Sequence, residues 1–152
     1  MKMDMLQRVD YITSIKPTAS LAATLTGETI DRLDYMSALM NAYVGVLTGT
    51  PDTVSAVFTI CHGSASNMSD EAVLSNVTFT IAAASTASKL YLNLINAKRY
   101  IRIKCVLTFT GGTTPTASIT AGCVLGDPTK AKVNNYSVYD LGNNKKMADG
   151  NW

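Results

Sequence analysis

Histidine is nearly missing from this sequence: His62 is the only one in 152 residues. One imidazole with no Cys or Asp at ligand spacing cannot complete a coordination shell, so no metal site is expected. Pairing His62 with the adjacent Cys61 as a catalytic dyad also fails, because neighbours on a strand point to opposite faces. His62 reads instead as a polar residue at a strand end. Cysteines number three, Cys61, Cys105 and Cys123, and none forms a CxxC or Cys/His motif. They read either as buried free thiols acting as small apolar residues, or with Cys105 and Cys123 joined in a disulfide. Free thiols suit folding in a reducing cytoplasm. Charge is sparse as well: 16% of residues are ionic and the net charge is +2, too little to argue for a nucleic-acid partner. No run approaches the length of about 18 apolar residues that marks a membrane-spanning helix, so no membrane partner is expected. The first residues, Met1 to Asp10, carry Asp4, Gln7, Arg8 and Asp10 and lack the apolar core of a signal peptide. The chain is therefore expected to stay in the compartment where it is made.

Motifs for chemistry are equally thin. Asp70 and Glu71 are adjacent acids in a loop, and Asp31 and Asp34 are close neighbours. A glycosidase needs two carboxyls flanking one bond at a set separation, so these pairs read as solvated loop acids. Gly111-Gly112 lacks the Lys and Ser/Thr of a phosphate-binding loop and precedes a strand pattern, not a helix. No catalytic, metal-binding or cofactor-binding residue is assigned, and the chain is expected not to be an enzyme.

What is abundant is Thr, Ser, Ala and Val, a β composition. The clearest stretch runs from Lys98 to Pro128. Ile101, Ile103, Cys105, Leu107 and Phe109 alternate with Tyr100, Arg102, Lys104, Val106 and Thr108. The alternation stops at Thr110 to Thr116, which holds two glycines and Pro115, and resumes with Ala117, Ile119, Ala121, Cys123 and Leu125. The spacing predicts two strands paired as a β-hairpin. Further strands are expected over Ser37 to Leu47, Val54 to Ile60, Val77 to Ile81 and Leu90 to Leu94, and Glu71 to Leu74 could add one helical turn. The fold class is all-β: an antiparallel β-sandwich (jelly-roll or Ig-like) or a barrel of about seven strands. Residues 1–18 read as an N-terminal arm, in which Met5 to Ile15 could form a short helix or strand, 19–128 as the sandwich domain and 129–152 as an extended C-terminal tail.

Two surfaces stand out. Lys98, Arg99, Arg102 and Lys104 form a basic cluster, read mainly as a solvated outer sheet face. Lys145-Lys146 is a weaker one in the tail. Met5 and Leu6 in the arm, with Tyr136, Tyr139, Leu141 and Trp152 in the tail, are apolar side chains that need a surface to bury against. These six are the candidate subunit or partner interface. Tyr91 and Tyr100 are the candidates for a stacking platform if the chain binds glycans.

Two blocks carry a resemblance to a known family. The first is Ser37-Ala38-Leu39 through Val44-Gly45-Val46-Leu47-Thr48-Gly49-Thr50-Pro51, followed by Val54 to Ile60. The second is Ala97-Lys98-Arg99-Tyr100-Ile101-Arg102, then Phe109-Thr110-Gly111-Gly112-Thr113, Pro115 and Val124-Leu125-Gly126-Asp127-Pro128. They resemble small tailed-bacteriophage structural proteins of the capsid decoration (cement) type. The loop from Cys61 to Ser69 departs from that pattern, and the tail after Pro128 is longer. The resemblance implies a β-sandwich virion protein on the capsid surface, folded in the host bacterial cytoplasm. Its partner would be the major capsid protein, with the chain itself a homo-oligomer, dimer or trimer. The alternative is a virion-displayed module for a host surface or glycan, or a neck or tail structural protein.

Overall fold

The computed structural model describes residues 9–129 and two short strands beyond them, at 138–140 and 145–147. Among the described residues there are eleven strands and no helix. In chain order they are β1 (Asp10–Ser20), β2 (Ala23–Thr26), β3 (Ile30–Asp31), β4 (Tyr35–Thr48), β5 (Thr53–Gly63), β6 (Ala72–Ile81), β7 (Thr86–Asn93), β8 (Tyr100–Thr110), β9 (Thr116–Pro128), β10 (Val138–Asp140) and β11 (Lys145–Met147).

Alternation builds the core. On β4, Ala38, Met40, Ala42 and Val44 turn inward while Ser37, Leu39, Asn41 and Tyr43 turn outward. On β8, Ile101, Ile103, Cys105 and Leu107 turn inward and Arg102 and Lys104 outward. Two antiparallel sheets result, in the orders β1-β9-β4-β7 and β2-β8-β5-β6, with β3 also pairing with β8. Their inner faces enclose one cluster that includes Tyr35, Met40, Phe58, Ile60, Ile103, Ile119 and Leu125. Phe58 stacks on Phe79 of the next strand at 5.1 Å between ring centroids. Each such large side chain contributes about 1.5–3 kcal/mol by leaving water.

The strand order is that of a jelly roll. Within the sandwich only β5 and β6 are consecutive strands bonded to each other; most other connections cross from sheet to sheet. This corrects the expected hairpin between Tyr100 and Leu125. β8 pairs with β5 and β2 in the second sheet, and β9 pairs with β1 and β4 in the first. The residues after Thr110 bridge the gap of about 10 Å between packed sheets instead of folding back. The β4–β5 connection makes the same crossing alongside it. Thr113 N–H donates to Gly49 O at 2.9 Å, and Asp52 N–H donates to Thr110 O at 2.9 Å. Gly49 (φ 72°) and Gly112 (φ 79°) take the left-handed backbone these crossed turns require.

Three other expectations change. Residues 10–18, assigned to an arm, belong to β1, an edge strand paired with β9 over nearly its whole length. Its pattern was hidden by register slips between Thr13 and Ile15 and between Ile15 and Thr18. The expected helical turn at Glu71 to Leu74 is instead the entry into β6, whose pairing with β5 slips between Thr59 and Cys61. In the tail, where no strand was expected, β10 and β11 pair as a small antiparallel ribbon, Val138 opposite Met147.

Candidate functional site

The four cations of the basic cluster all face acids. Lys98 Nζ meets Asp70 Oδ2 at 2.9 Å, and Arg99 grips Asp31 with Nη2–Oδ2 at 2.7 Å and Nε–Oδ1 at 3.1 Å. The Arg99 guanidinium also lies 5.1 Å over the Tyr100 ring. Arg102 and Lys104, neighbours on the outer face of the second sheet, both contact the Glu71 carboxylate. Glu71 retains only 15% side-chain exposure. The cluster is therefore a set of ion pairs, and an anionic partner would have to displace the carboxylates first.

Glu71 is not the solvated loop acid the sequence suggested, whereas Asp70 is an exposed turn acid as expected, but one engaged by backbone donors. Asp70 accepts Ser64 N–H at 2.9 Å and Ala65 N–H at 3.0 Å, closing the β5–β6 turn. Those backbone donors and Lys98 hold its carboxyl well below the usual carboxylate range, the Ala65 N–H contributing most. Cys61 lies opposite Arg102 in register. Burial pushes its thiol up, while Lys104 and Arg102 pull the other way. His62 Nδ1 accepts the Lys98 N–H at 3.2 Å, so it braces the β7–β8 connection. Burial, with Lys98 beside it, lowers its pKa. Arg32 braces the same connection: Nε donates to Lys98 O at 2.9 Å, Nη1 to Tyr35 O at 2.9 Å, and Nη2 to Ala97 O. All three cysteines are buried and free. Among the described residues no three His, Cys, Asp or Glu side chains gather where a metal could sit.

Of the interface candidates, Met5, Leu6, Tyr136, Leu141 and Trp152 lie outside the described residues. Tyr139 sits in β10 opposite Lys146. What the structure does place is where the terminal segments leave the sandwich. Asp10, at the start of β1, pairs with Leu125 near the end of β9. Pro128 pairs with Tyr35, and Thr129 N–H donates to Asp34 O at 2.7 Å. Both termini of the sandwich therefore lie side by side at one end of the first sheet.

The outer face of that sheet has a different character from the ion-paired one. Register aligns Tyr11, Val124, Leu39 and Tyr91 in one row across its four strands. Thr13, Gly122, Asn41 and Lys89 form the next row, and Thr120, Tyr43 and Ala87 the one after. Tyr91 is 78% exposed, Tyr11 58% and Tyr43 40%. A concavity of about 590 Å³ opens beside Tyr91, lined by Met36, Leu39, Ile95, Val124 and others. A smaller one of about 150 Å³ lies between Tyr11 and Tyr43. Tyr91 and Tyr100 do not make a common platform, since they stand on β7 and β8 in opposite sheets. The strand at Ser37 to Leu47 is expected from the sequence, but the outward turn of Leu39, Asn41 and Tyr43 and the addition of Tyr11 from β1 are not.

No protein-family model matches the sequence, and no curated protein matches it significantly. Among solved structures, the chain is similar to the PBSX exported protein XepA: 14% identity over 93% of this chain and 45% of that one, TM-score 0.55. It thus spans less than half of that protein's length. Infectious bursal disease virus, Gx strain, matches at 16% identity over 82% of this chain and 34% of that one, TM-score 0.48. The VP2 subviral particle of the same virus matches at 15% identity over 78% and 33%, TM-score 0.45. The XepA likeness is one of fold; the two lower-scoring ones carry no weight below.

Proposed function

We propose that this chain is a non-enzymatic structural protein of a bacteriophage virion, of the decoration (cement) type, which holds the major capsid protein lattice through its terminal segments. The observation that carries this reading is the pairing of Asp10 with Leu125, and of Pro128 with Tyr35, which sends both termini out of one end of a rigid sandwich. A body anchored that way stands on two adjacent tethers. Modest contacts by each tether gain from the high effective concentration of the other, and again from repetition around a symmetry axis. A homo-oligomer, dimer or trimer, at such an axis fits the same logic. The sequence resemblance to phage decoration proteins supports the reading, as does the fold shared with XepA. The interface residues in this reading are Met5, Leu6, Tyr136, Tyr139, Leu141 and Trp152, and the site is the capsid surface.

The test is a chain ending at Thr129, mixed with empty capsid shells and sedimented. The truncated protein should keep its β-sheet circular dichroism and cooperative unfolding while its co-sedimentation falls at least tenfold. Undiminished binding by the truncated chain would overturn the tether mechanism. Failure of the full chain to bind shells at all would overturn the decoration reading.

A further inference from the structure

The two outer faces of the sandwich differ in charge, and the difference points to a ligand. The outer side of the second sheet carries the partly buried Glu71, Arg102 and Lys104 ion pairs. In the three aligned rows of the first sheet, Lys89 is the single ionic residue. A polyanion needs several free cations to bind, and this face lacks them. The buried centre of an obligate protein interface is more apolar than the rest of the surface. Here the polar row Thr13–Gly122–Asn41–Lys89 runs between the two tyrosine-bearing rows and breaks any such centre.

What remains is a set of exposed tyrosines interleaved with hydroxyls, amides and one ammonium group, with the Asp127 carboxylate, bonded to the Ser37 hydroxyl at 2.6 Å, at the rim of the Tyr91 concavity. Such a face fits a ligand with apolar C–H faces and uncharged hydroxyl edges. The cleft between Tyr11 and Tyr43 is shaped for one small ring. Its volume of about 150 Å³ is below that of sites for drug-sized ligands. Asn41, Ser88 and Lys89 line it with donors and acceptors. Gly122 lets Tyr11 lie across β9 beside it: a Cβ there would stand 3.1 Å from the Tyr11 hydroxyl and 2.8 Å from Ile12 O. The concavity beside Tyr91 lies further along the same face, so the two form successive positions on one path.

We propose that the outer face of the β1-β9-β4-β7 sheet binds a neutral polysaccharide, with Tyr11 and Tyr43 bracketing one sugar ring and Tyr91 stacking on another. Flat aromatic rings offer a large contact at low entropic cost, and their hydroxyls bond at the rim. This site does not rest on the capsid-binding reading, which uses the terminal segments.

The experiment is affinity electrophoresis of the full chain in native gels cast with dextran, mannan or a neutral bacterial exopolysaccharide, alongside an array of bacterial glycans. Retardation by at least one neutral polymer is expected. Tyr43→Ala and Tyr91→Ala should each weaken it about tenfold, Tyr43→Phe much less, and Val106→Ala on the opposite face not at all. Unfolding midpoints of each variant separate lost binding from lost fold. Absence of binding across gels and array would overturn the site, as would equal retardation of wild type, Tyr43→Ala and Tyr91→Ala. If these variants instead lose capsid-shell binding while no polymer binds, the face is a protein interface and the polysaccharide assignment fails. Shell binding by the truncated chain is read separately, so the two proposals fail by different results.

Discussion

The Ser14 hydroxyl, on β1 of one sheet, accepts the backbone N–H of Ile103 on β8 of the other at 3.2 Å, and donates to Glu28 O at 3.0 Å. Ser14 is buried to 1% exposure at the register slip of β1. The slip turns its side chain into the corner where the two sheets meet. The backbone seals the same corner: Glu28 N–H donates to Ser14 O at 2.7 Å and Gly27 N–H to Ile103 O at 2.9 Å. Gly27 has no room for a side chain, since a Cβ would collide with Ser14 Oγ and stand 2.7 Å from Ile103 O.

Ser14→Ala leaves the Ile103 N–H buried without its acceptor, and should cost about 1–3 kcal/mol. Gly27→Ala should destabilise by a similar order through overlap with the same hydroxyl. Because the hydroxyl is one of the two atoms struck, the double substitution should cost less than the sum of the singles. Urea midpoints of the three variants measure this. Strict additivity would mean that the corner relaxes independently at the two residues.

Glu71 is the shared counter-charge of Arg102 and Lys104. Removing it leaves two cations side by side on a half-buried surface. Glu71→Ala should therefore destabilise by about 1–3 kcal/mol, between the values for exposed and for fully buried pairs. Replacing all three by uncharged residues of similar size should recover most of that loss. A triple variant no more stable than Glu71→Ala would show that the carboxylate acts by packing and not by charge.

Much of the fold was legible because alternation reports which side chains point inward. β5, β6, β7, β8 and β9 all follow from it, while β4 follows from the β-branched Val44 and Val46 flanking Gly45. What alternation does not report is which sheet a strand joins. Strands on opposite sides of a sandwich carry the same inward pattern, so β8 and β9 looked like partners although they face each other across the core. β1 stays undecided between helix and strand in the sequence because its slips place Ser14 and Ile15 inward in succession. For the surface, the sequence put Arg102 and Lys104 on one face, but their counter-ion comes from Glu71, about thirty positions away. No local pattern links residues that only topology brings together. The tyrosine rows of the first sheet were lost for the same reason, since they are assembled from four strands that are distant in the chain.

Asp70 fixes the turn between β5 and β6, and its depressed pKa gives that role a pH signature. A carboxyl held below its unfolded value contributes stability above the ordinary carboxylate range, and loses it as pH falls below that range towards its depressed folded value. Asp70→Asn should thus be less stable than wild type near pH 7, with the gap narrowing from about pH 4 downward. Urea midpoints across this range check it. A gap that stays constant to low pH would mean that the ionised form of Asp70 is not what holds the turn.

Cys105 and Cys123 give the opposite dependence, at the alkaline end. Burial pushes both thiols from their ordinary value of 9.0 up to about 12. Above pH 9 the unfolded chain releases these protons while the folded chain keeps them. The folded state then binds more protons, and stability falls as pH rises, by about 1.4 kcal/mol per pH unit for each thiol across that window. Below pH 9 both states hold the protons and the thiols add no slope. Cys105→Ala and Cys123→Ala should therefore each flatten the decline between pH 9 and 11 by close to one proton, measured against the wild-type midpoints. In the native state the same thiols should resist a thiol-reactive dye at pH 8, and all three cysteines should react once urea unfolds the chain. A wild-type slope matched by both variants, or rapid labelling of the folded chain, would mean that the core opens enough for the thiols to ionise in place.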